Sequence, residues 1–188
     1  MAAIYAIASN KGIPLHLDGA RLFNAALSLG VDPQELAKYC DSVMFCLSKG
    51  LCAPVGSILA GSNEFIAKAR RYRKVLGGGM RQAGILAACG IIALSKMPAR
   101  LGEDHENAKY LAALLHKVPG IQIDTAQVKV NMVFFSADWP KEIIDSLPRK
   151  MLERGIKILP GPRFRFVTNN DISQADCDEA VKTLREII

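Results

Sequence analysis

Two short apolar runs, each ended by a charged residue and a glycine, constrain the fold of this chain most. Residues 15–17 run into Asp18 and Gly19, and residues 42–47 ("SVMFCL") run into Ser48, Lys49 and Gly50. Patterns typical of helices separate the two runs, which favours strands that lie parallel in one sheet. The two charged residues would then meet at the carboxyl edge of that sheet, where open α/β folds bind ligands.

Lys49 ends a stretch that otherwise has the pattern of a buried strand. Such a lysine either extends its amine into water or is held in place for its chemistry. An amine near a carboxylate suits pyridoxal phosphate (PLP), which needs a lysine for its aldehyde and an acid that keeps its ring nitrogen protonated. An Asp-Gly pair is also a common turn and Ser-Lys-Gly a common solvated loop, so the residues alone leave both interpretations open.

The pattern of predicted elements changes near residue 97. Before it, helices and apolar strands alternate, at residues 2–10, 15–17, 22–29, 42–47, 55–61, 62–76 and 82–95. After it come a charged amphipathic helix, a strand at 131–137, a helix at 140–154 interrupted by Pro148, a strand pair "IKIL" and "FRFV", and a helix from Ser173. We therefore predict an α/β domain over residues 1–96 and a smaller α+β domain over residues 97–188.

The charge and hydropathy of the chain argue against two classes of partner. The net charge is +6, with a basic cluster at 68–74, but aromatic residues form only 6% of the chain, too few for a base-stacking surface. A solvated basic helix face is the simpler interpretation, so no nucleic-acid partner is predicted. The longest apolar block, residues 83–94, is shorter than the ~20 residues that a bilayer span needs and predicts a buried helix, so no membrane partner is predicted either.

Cysteine and histidine placement argues against disulfides and metal sites. The five cysteines include no C-x-x-C pair, which favours reduced thiols in a cytoplasmic protein. His16 and Asp18 would share a strand face and could ligate a metal. His105 and His116 lie on a distant charged helix and are predicted at the surface, so no third ligand is expected.

Three segments carry a resemblance to a known family. "HLDGARLFNAA", "DSVMFCLSKGLCAPVGSILAG" and "RKVLGGGMRQAGILAACGIIAL" resemble, in that order, the core of the threonine aldolases, in the aromatic amino acid β-eliminating lyase group. The resemblance runs along the whole chain. It implies a partial fold-type-I, aspartate aminotransferase-like architecture: the C-terminal part of a PLP-binding large domain, followed by a small α+β domain.

The resemblance implies a role for four residues around the cofactor. Lys49 would be the Schiff-base lysine and the catalytic residue. Asp18 would pair with the pyridinium nitrogen, and Ala20 would lie against one face of the ring. Arg21 would lie beside the phenolic oxygen of the cofactor or the carboxylate of the substrate.

Three further basic residues are implied farther along the chain. Arg165, in "RFVTNND", matches the arginine that clamps the substrate carboxylate, a task that suits the fork-shaped guanidinium. Lys74 and Arg81 match basic residues near the phosphate and would reach it from a second subunit, which implies a homo-oligomer, a dimer or a tetramer. The family usually has histidine where Asn169 stands; a hydrogen-bonding role survives that exchange, whereas a proton-transfer role does not.

The reaction that the resemblance implies is the aldol cleavage of threonine or allo-threonine to glycine and an aldehyde. Members of the family are longer, and their N-terminal portion supplies the phosphate loop and the residue that stacks on the ring. We therefore expect this chain to be truncated and its catalytic site incomplete. The alternatives are a non-catalytic fragment or split subunit of such an enzyme, and a related PLP-dependent β-eliminating lyase.

Overall fold

The computed structural model describes residues 1–161 and 163–188, which form two compact units. The first comprises Met1–Leu101 and the second Gly102–Ile188. The predicted domain boundary, after residue 96, lies slightly earlier in the chain and stays a prediction.

The first unit contains five α-helices, a 3-10 turn and three strands. The helices are α1 (Ala2–Asn10), α2 (Leu22–Leu29), α3 (Pro33–Ala37), α4 (Asn63–Val75) and α5 (Gly84–Ser95), followed by the turn at Met97–Arg100. The strands are β1 (His16–Asp18), β2 (Ser42–Cys46) and β3 (Ser57–Gly61).

The three strands form one sheet in the order β1-β2-β3. β1 lies parallel to β2, with Asp18 opposite Met44, so the predicted parallel arrangement is confirmed. β3 returns antiparallel, with Ser57 opposite Cys46, so its first residue lies at the edge where β2 ends. The carboxyl edge of the parallel pair is therefore also the amino end of β3.

The two faces of this sheet have different surroundings. Phe45 contacts Phe23 of α2 edge to face, with ring centroids 5.3 Å apart, over a core formed by Leu47, Leu51, Ala53, Ala93 and Leu101. His16 points to the opposite face, where its Nδ1 lies 2.8 Å from Ser42 Oγ. Side chains alternate along a strand, so Asp18 shares that second face with His16. Both are exposed.

Helix α5 differs from its prediction as a buried helix. Only Gly90 and Ala93 are buried, whereas Ile85 is 79% exposed and Ile91 67% exposed. The apolar sequence surrounds the helix, but the first unit packs against only one of its sides. The others remain open in the part of the chain that the structure describes.

The second unit contains three α-helices, a 3-10 turn and three strands. The helices are α6 (Leu101–His116, beginning at the unit boundary), α7 (Lys141–Glu153) and α8 (Gln174–Ile187), with the turn at Thr125–Gln127. The strands are β4 (Ile121–Gln122), β5 (Met132–Ala137) and β6 (Phe164–Val167), in an antiparallel sheet of order β4-β5-β6.

The core of the second unit forms between this sheet and its helices. Phe135 on β5 lies between Phe164 and Phe166 on β6, with ring centroids 5.3 and 5.6 Å away. The buried core residues are Ala108, Leu111, Ala112, Leu115, Val118, Val128, Val133, Phe135, Leu147, Met151, Ile158, Phe164, Cys177, Val181 and Leu184. At the edge of the core, Thr168 donates from Oγ1 to the Asp104 carbonyl at 2.5 Å.

Three predictions for the second unit are wrong. His105 is buried, at 6% exposure, because its side of α6 faces inward despite the charged residues around it. α7 continues through Pro148, because burial of Leu147 and Met151 holds the helix although the proline lacks an N–H. The "IKIL" segment, 156–159, is not a strand: Ile158 packs into the core while the backbone forms no ladder with β6.

Candidate active site

Asp18 and Lys49 lie at the same edge of the first sheet. Asp18 is the last residue of β1, and Lys49 follows the end of β2 by three residues. Both side chains are exposed, whereas Gly50 and Leu51 beyond the lysine are buried. The buried neighbours hold the backbone, and the amine projects from a fixed position into solvent.

A tight loop fixes the backbone around Lys49. The Cys52 N–H donates to the Lys49 carbonyl at 2.9 Å, and the Ala53 N–H donates to the Leu47 carbonyl at 3.0 Å. The Leu47 N–H in turn donates to the Gly56 carbonyl at 2.9 Å. Cys52 adopts a φ of 60°, which residues other than glycine rarely adopt and which this hydrogen-bonded turn imposes.

The glycine after each charged residue allows close packing. A Cβ on Gly19 would lie 2.8 Å from the Met44 carbonyl oxygen of the neighbouring strand. A Cβ on Gly50 would lie 2.8 Å from Leu101 Cδ2 and 3.2 Å from Asn24 Oδ1. Asp-Gly and Lys-Gly are therefore required here by the approach of the backbone to its neighbours.

The carboxylate of Asp18 is only partly used by the protein. Its Oδ1 accepts a hydrogen bond from the Ala20 N–H at 3.2 Å, which closes the turn after β1. Ala20 and Arg21 are half-buried, and Arg21 is the N-cap of α2. The turn thus places Asp18, Ala20 and Arg21 within four residues at the end of β1.

Lys74 and Arg81 lie near the glycine turn that follows α4. Both are exposed, and neither side chain forms a hydrogen bond or ion pair with any described residue. The Gly77 N–H donates to the Lys74 carbonyl at 3.2 Å, with Gly77 at a φ of +81°. A Cβ on Gly79 would lie 2.7 Å from Lys74 Cδ, so the lysine side chain covers this turn. Among the described residues, no hydrogen bond or ion pair joins this basic pair to Asp18 or Lys49.

Arg165 belongs to the second unit. It is exposed on β6, directly opposite Phe134 on β5, and its guanidinium forms no ion pair with a described residue. The neighbouring Arg163 lies over the Phe134 ring, 4.9 Å from its centroid. Asn169 accepts from the Asp171 N–H at 2.9 Å, so it stabilises the turn after β6. The predicted substrate-binding role of Arg165 stays a prediction.

The sequence analysis missed Ser42 as a neighbour of the site. Its hydroxyl fixes the His16 imidazole on the open face of the sheet, two residues before Asp18. The partnership depends on the register of β1 against β2, which the sequence does not reveal. Within the described residues, no three His, Cys, Asp or Glu side chains come close enough to hold a metal ion. The five cysteines are free, and burial raises the pKa of the Cys177 thiol to about 11.

In the part of the chain that the structure describes, no single helix has both the length and the apolar character to cross a bilayer. One bent pair, Gly84–Ser95 with Met97–His116, meets these criteria by length and composition alone.

Comparison with known proteins identifies the family. Residues 1–138 match the family described as "Beta-eliminating lyase". The chain belongs to this family. The resemblance found in the sequence is thereby confirmed, and threonine aldolases are among the curated relatives that match the chain.

Curated relatives share the sequence along most of this chain. The low-specificity L-threonine aldolase 1 of Arabidopsis thaliana is 45% identical over 173 residues, which cover 90% of this chain and 48% of the relative. The low specificity L-threonine aldolase of Escherichia coli K12 is 42% identical over 178 residues, 95% of this chain and 52% of the relative. The chain therefore spans about half the length of the curated relatives that it matches.

Solved structures show the fold. The threonine aldolase of Leishmania major superposes with a TM-score of 0.75 at 22% identity, covering 100% of this chain and 56% of that structure. The predicted fold class, a partial fold-type-I α/β architecture, is confirmed.

PLP dependence is a general property of these families. The residues at the sheet edge fit such a cofactor: Asp18 offers a carboxylate for a ring nitrogen, Lys49 offers an amine for an aldehyde, and Ala20 is a small residue beside them. Asp18 and Lys49 are the two residues that would hold its ring and its aldehyde carbon.

Proposed function

We propose that this protein is a PLP-dependent lyase, or a part of one, that cleaves threonine and allo-threonine to glycine and acetaldehyde. The observation that carries the proposal is the position of Asp18 and Lys49 at the carboxyl ends of adjacent parallel strands. The names of the curated relatives support the choice of substrate. A related β-eliminating lyase with another amino-acid substrate is the runner-up, and profiling of substrates separates the two.

The cofactor, when bound, supplies a conjugated ring that accepts the electron pair released from the broken Cα–Cβ bond. Asp18 would hold a proton on the ring nitrogen, because a nearby carboxylate favours the charged form of that nitrogen. Lys49 would hold the cofactor at its aldehyde carbon. In the balanced reaction the β-hydroxyl loses a proton, the Cα–Cβ bond breaks, and Cα gains a proton.

The remaining residues would bind and orient. Ala20 would contact a ring face without displacing it, and Arg21 would lie near the phenolic oxygen or the substrate carboxylate. Arg165 would bind the two carboxylate oxygens of the substrate. Lys74 and Arg81 would bind the phosphate from a second copy of the chain; both side chains are exposed and neither pairs with a described residue of its own copy, which supports this role.

We propose further that the protein is a homo-oligomer, a dimer or tetramer, of the cytoplasm. The open apolar sides of α5 support association, because a helix that is apolar on all sides is normally buried. The five free cysteines support a reducing compartment.

The cofactor proposal is tested by absorbance after PLP is added to the purified protein. We expect the visible absorption band of lysine-bound PLP in the parent chain and its loss in Lys49→Ala. Lys96→Ala, which removes another exposed lysine of the first unit, should keep the band. Asp18→Asn should keep covalent binding but reduce cleavage by at least about 100-fold, as losses of positioned proton-transfer or proton-holding groups do. An unchanged band in Lys49→Ala would contradict the assignment of that lysine.

The second candidate is a non-catalytic fragment or split subunit of such an enzyme; the chain spans about half the length of the curated relatives that it matches. It predicts no threonine cleavage by the purified 188-residue chain and recovery of cleavage on mixing with a complementary chain. Turnover by the 188-residue chain alone would exclude it.

A further inference from the structure

A cavity of about 480 Å³ lies wholly within the second unit. Its walls are the free edge of β6, the first turns of α8 and the segment 155–159 that follows α7. The volume lies within the roughly 300–1,000 Å³ that is typical of small-molecule sites. None of the residues assigned above to the cofactor lines it.

The edge of β6 presents to this cavity backbone groups that pair with no described residue. The Thr168 N–H donates to the Asn131 carbonyl at 3.1 Å, which fixes the alternation of the β5–β6 ladder. In an antiparallel ladder every second residue pair forms no hydrogen bonds, and its residues direct their N–H and C=O groups away from the partner strand. Arg165 and Val167 belong to such pairs, so their backbone groups point to the free edge of β6. Both residues line the cavity.

The facing segment does not satisfy those groups. Its backbone N–H groups form two bonds among the described residues, from Gly155 to the Leu152 carbonyl and from Ile156 to the Met151 carbonyl, both at 2.9 Å and both within the turn that follows α7. Ile158 is anchored in the core, so the segment is held beside β6 without pairing to it. The segment 155–159 and β6 therefore border a gap with hydrogen-bonding groups on the β6 side.

The side chains around the gap combine an apolar floor with charges of both signs. The floor is formed by Leu111, Ile156, Ile158, Phe166, Ile172 and Ala180. Lys157, which has no ion pair with a described residue, lies on one wall. Asp176 and Glu179 lie on another wall, on α8. Asp176 uses Oδ2 in the capping box with Ser173, and Glu179 has an exposed ion pair with Lys182 at 3.4 Å.

We propose that this cavity binds a free α-amino acid with an apolar side chain. The ammonium would bind the carboxylates of α8 and the outward carbonyls of β6, and the carboxylate would bind Lys157 and the outward N–H groups. The apolar side chain would cover the floor. The charged groups of the amino acid match the charges of the lining and the hydrogen-bonding groups of the β6 edge, and its side chain matches the apolar lining residues. The proposal goes beyond the proposed function: it uses none of the cofactor residues, although Arg165, which the proposed function assigns to the substrate carboxylate, also lines the cavity.

The first experiment is isothermal titration calorimetry, which measures the heat of binding when L-leucine or L-phenylalanine is added to the cofactor-free, full 188-residue chain. We expect one site per chain. Glycine, N-acetyl-leucine and leucinamide each lack one recognised group, and we expect at least about tenfold weaker binding for each. Equal affinity for leucine and all three analogues would overturn the proposal.

Matched variants locate the site. Lys157→Met and Glu179→Gln should each weaken leucine binding about tenfold, the loss expected for one charge-assisted hydrogen bond. Lys129→Met and Glu142→Gln remove exposed charges of the same unit outside the cavity and should leave the affinity unchanged. Unfolding temperatures within a few degrees of the parent establish that each variant is folded.

Amide hydrogen exchange tests the geometry directly and decides the proposal if a variant fails to fold. The amides of Arg165 and Val167 should exchange rapidly in the free protein and become protected when leucine is added. Protection without leucine would mean that 156–159 pairs with β6 and fills the gap, which overturns the proposal. Protection around Asp18 and Lys49 instead would place leucine at the proposed active site and also overturn it.

Discussion

At the scale of single residues, the glycines beside the reactive groups matter as much as the groups themselves. Gly19 allows β1 to end against the Met44 carbonyl while Asp18 points to the open face. The carboxylate therefore owes its position to the lack of a side chain at the next residue. The Asp-Gly pair is a positional device as well as a turn.

Gly19→Ala should destabilise the first unit. The new Cβ would lie 2.8 Å from a backbone oxygen, which cannot rotate away as a side chain can. We expect a loss of about 1–3 kcal/mol in the free energy of unfolding, typical of overpacking. Gly84→Ala, where nothing lies within 4 Å, should be at least as stable as the parent in the same denaturant titration.

His105 should make the stability of the second unit depend on pH. Burial lowers the pKa of His105 from its ordinary value of 6.5, opposed by the charge of Asp104, so the folded state favours the neutral ring. Below pH 6.5 the unfolded chain binds a proton that the folded chain does not, and the free energy of unfolding falls.

The measurement is urea unfolding between pH 8 and pH 5, on the parent and two variants. His105→Gln should show a smaller loss of stability below pH 6.5 than the parent. His116→Gln, which changes an exposed histidine of the same helix, should retain the loss. Equal slopes in the parent and His105→Gln would contradict the role of burial.

At the scale of elements, Pro148 lowers the stability of α7, and its replacement should raise that stability. Pro148 lies in the interior of a continuous helix and cannot donate to the Ile144 carbonyl. We expect Pro148→Ala to raise the free energy of unfolding by about 1–3 kcal/mol, since an interior proline costs about 3 and the freed unfolded chain offsets part of it. Pro140→Ala, at the N-cap, should give no such gain, as followed by circular dichroism in denaturant.

Helices could be predicted from the sequence far better than strands. Local signals placed the helix starts: Ser62 accepts from the Phe65 N–H, and Ser173 forms the capping box with Asp176. Strand pairing depends on distant partners. The two residues of β4 carried no signal of their own, and the alternating "IKIL" segment was predicted as a strand although its backbone does not pair.

At the scale of the whole molecule, the apolar surface of α5 should drive self-association. Ile91→Glu places a charge on an open side of the helix, and we expect light scattering to show a smaller mass than for the parent chain. Leu152→Glu introduces the same charge at a residue that is 59% exposed on α7 and should leave the mass unchanged. A parent chain that is monomeric at all concentrations would refute the oligomer proposal.

The sequence predicted the sheet edge that carries Asp18 and Lys49, because strand and helix patterns are local and their alternation implies a parallel pair. It could not predict that Ser42 contacts His16, or that His105 is buried, because both depend on how elements pack. Nor could it predict that α5 remains open, because hydropathy reports what a helix must bury and not what is present to cover it.

The last strand of the first sheet has a practical consequence. All five residues of β3 are exposed, and no described residue pairs with its outer side. The segment "SILAG" contains neither the charges nor the proline by which natural edge strands prevent edge-to-edge pairing with other chains. Concentrated solutions of this polypeptide should therefore gel or form fibrils along β3, and a lysine in place of Leu59 should keep such solutions clear.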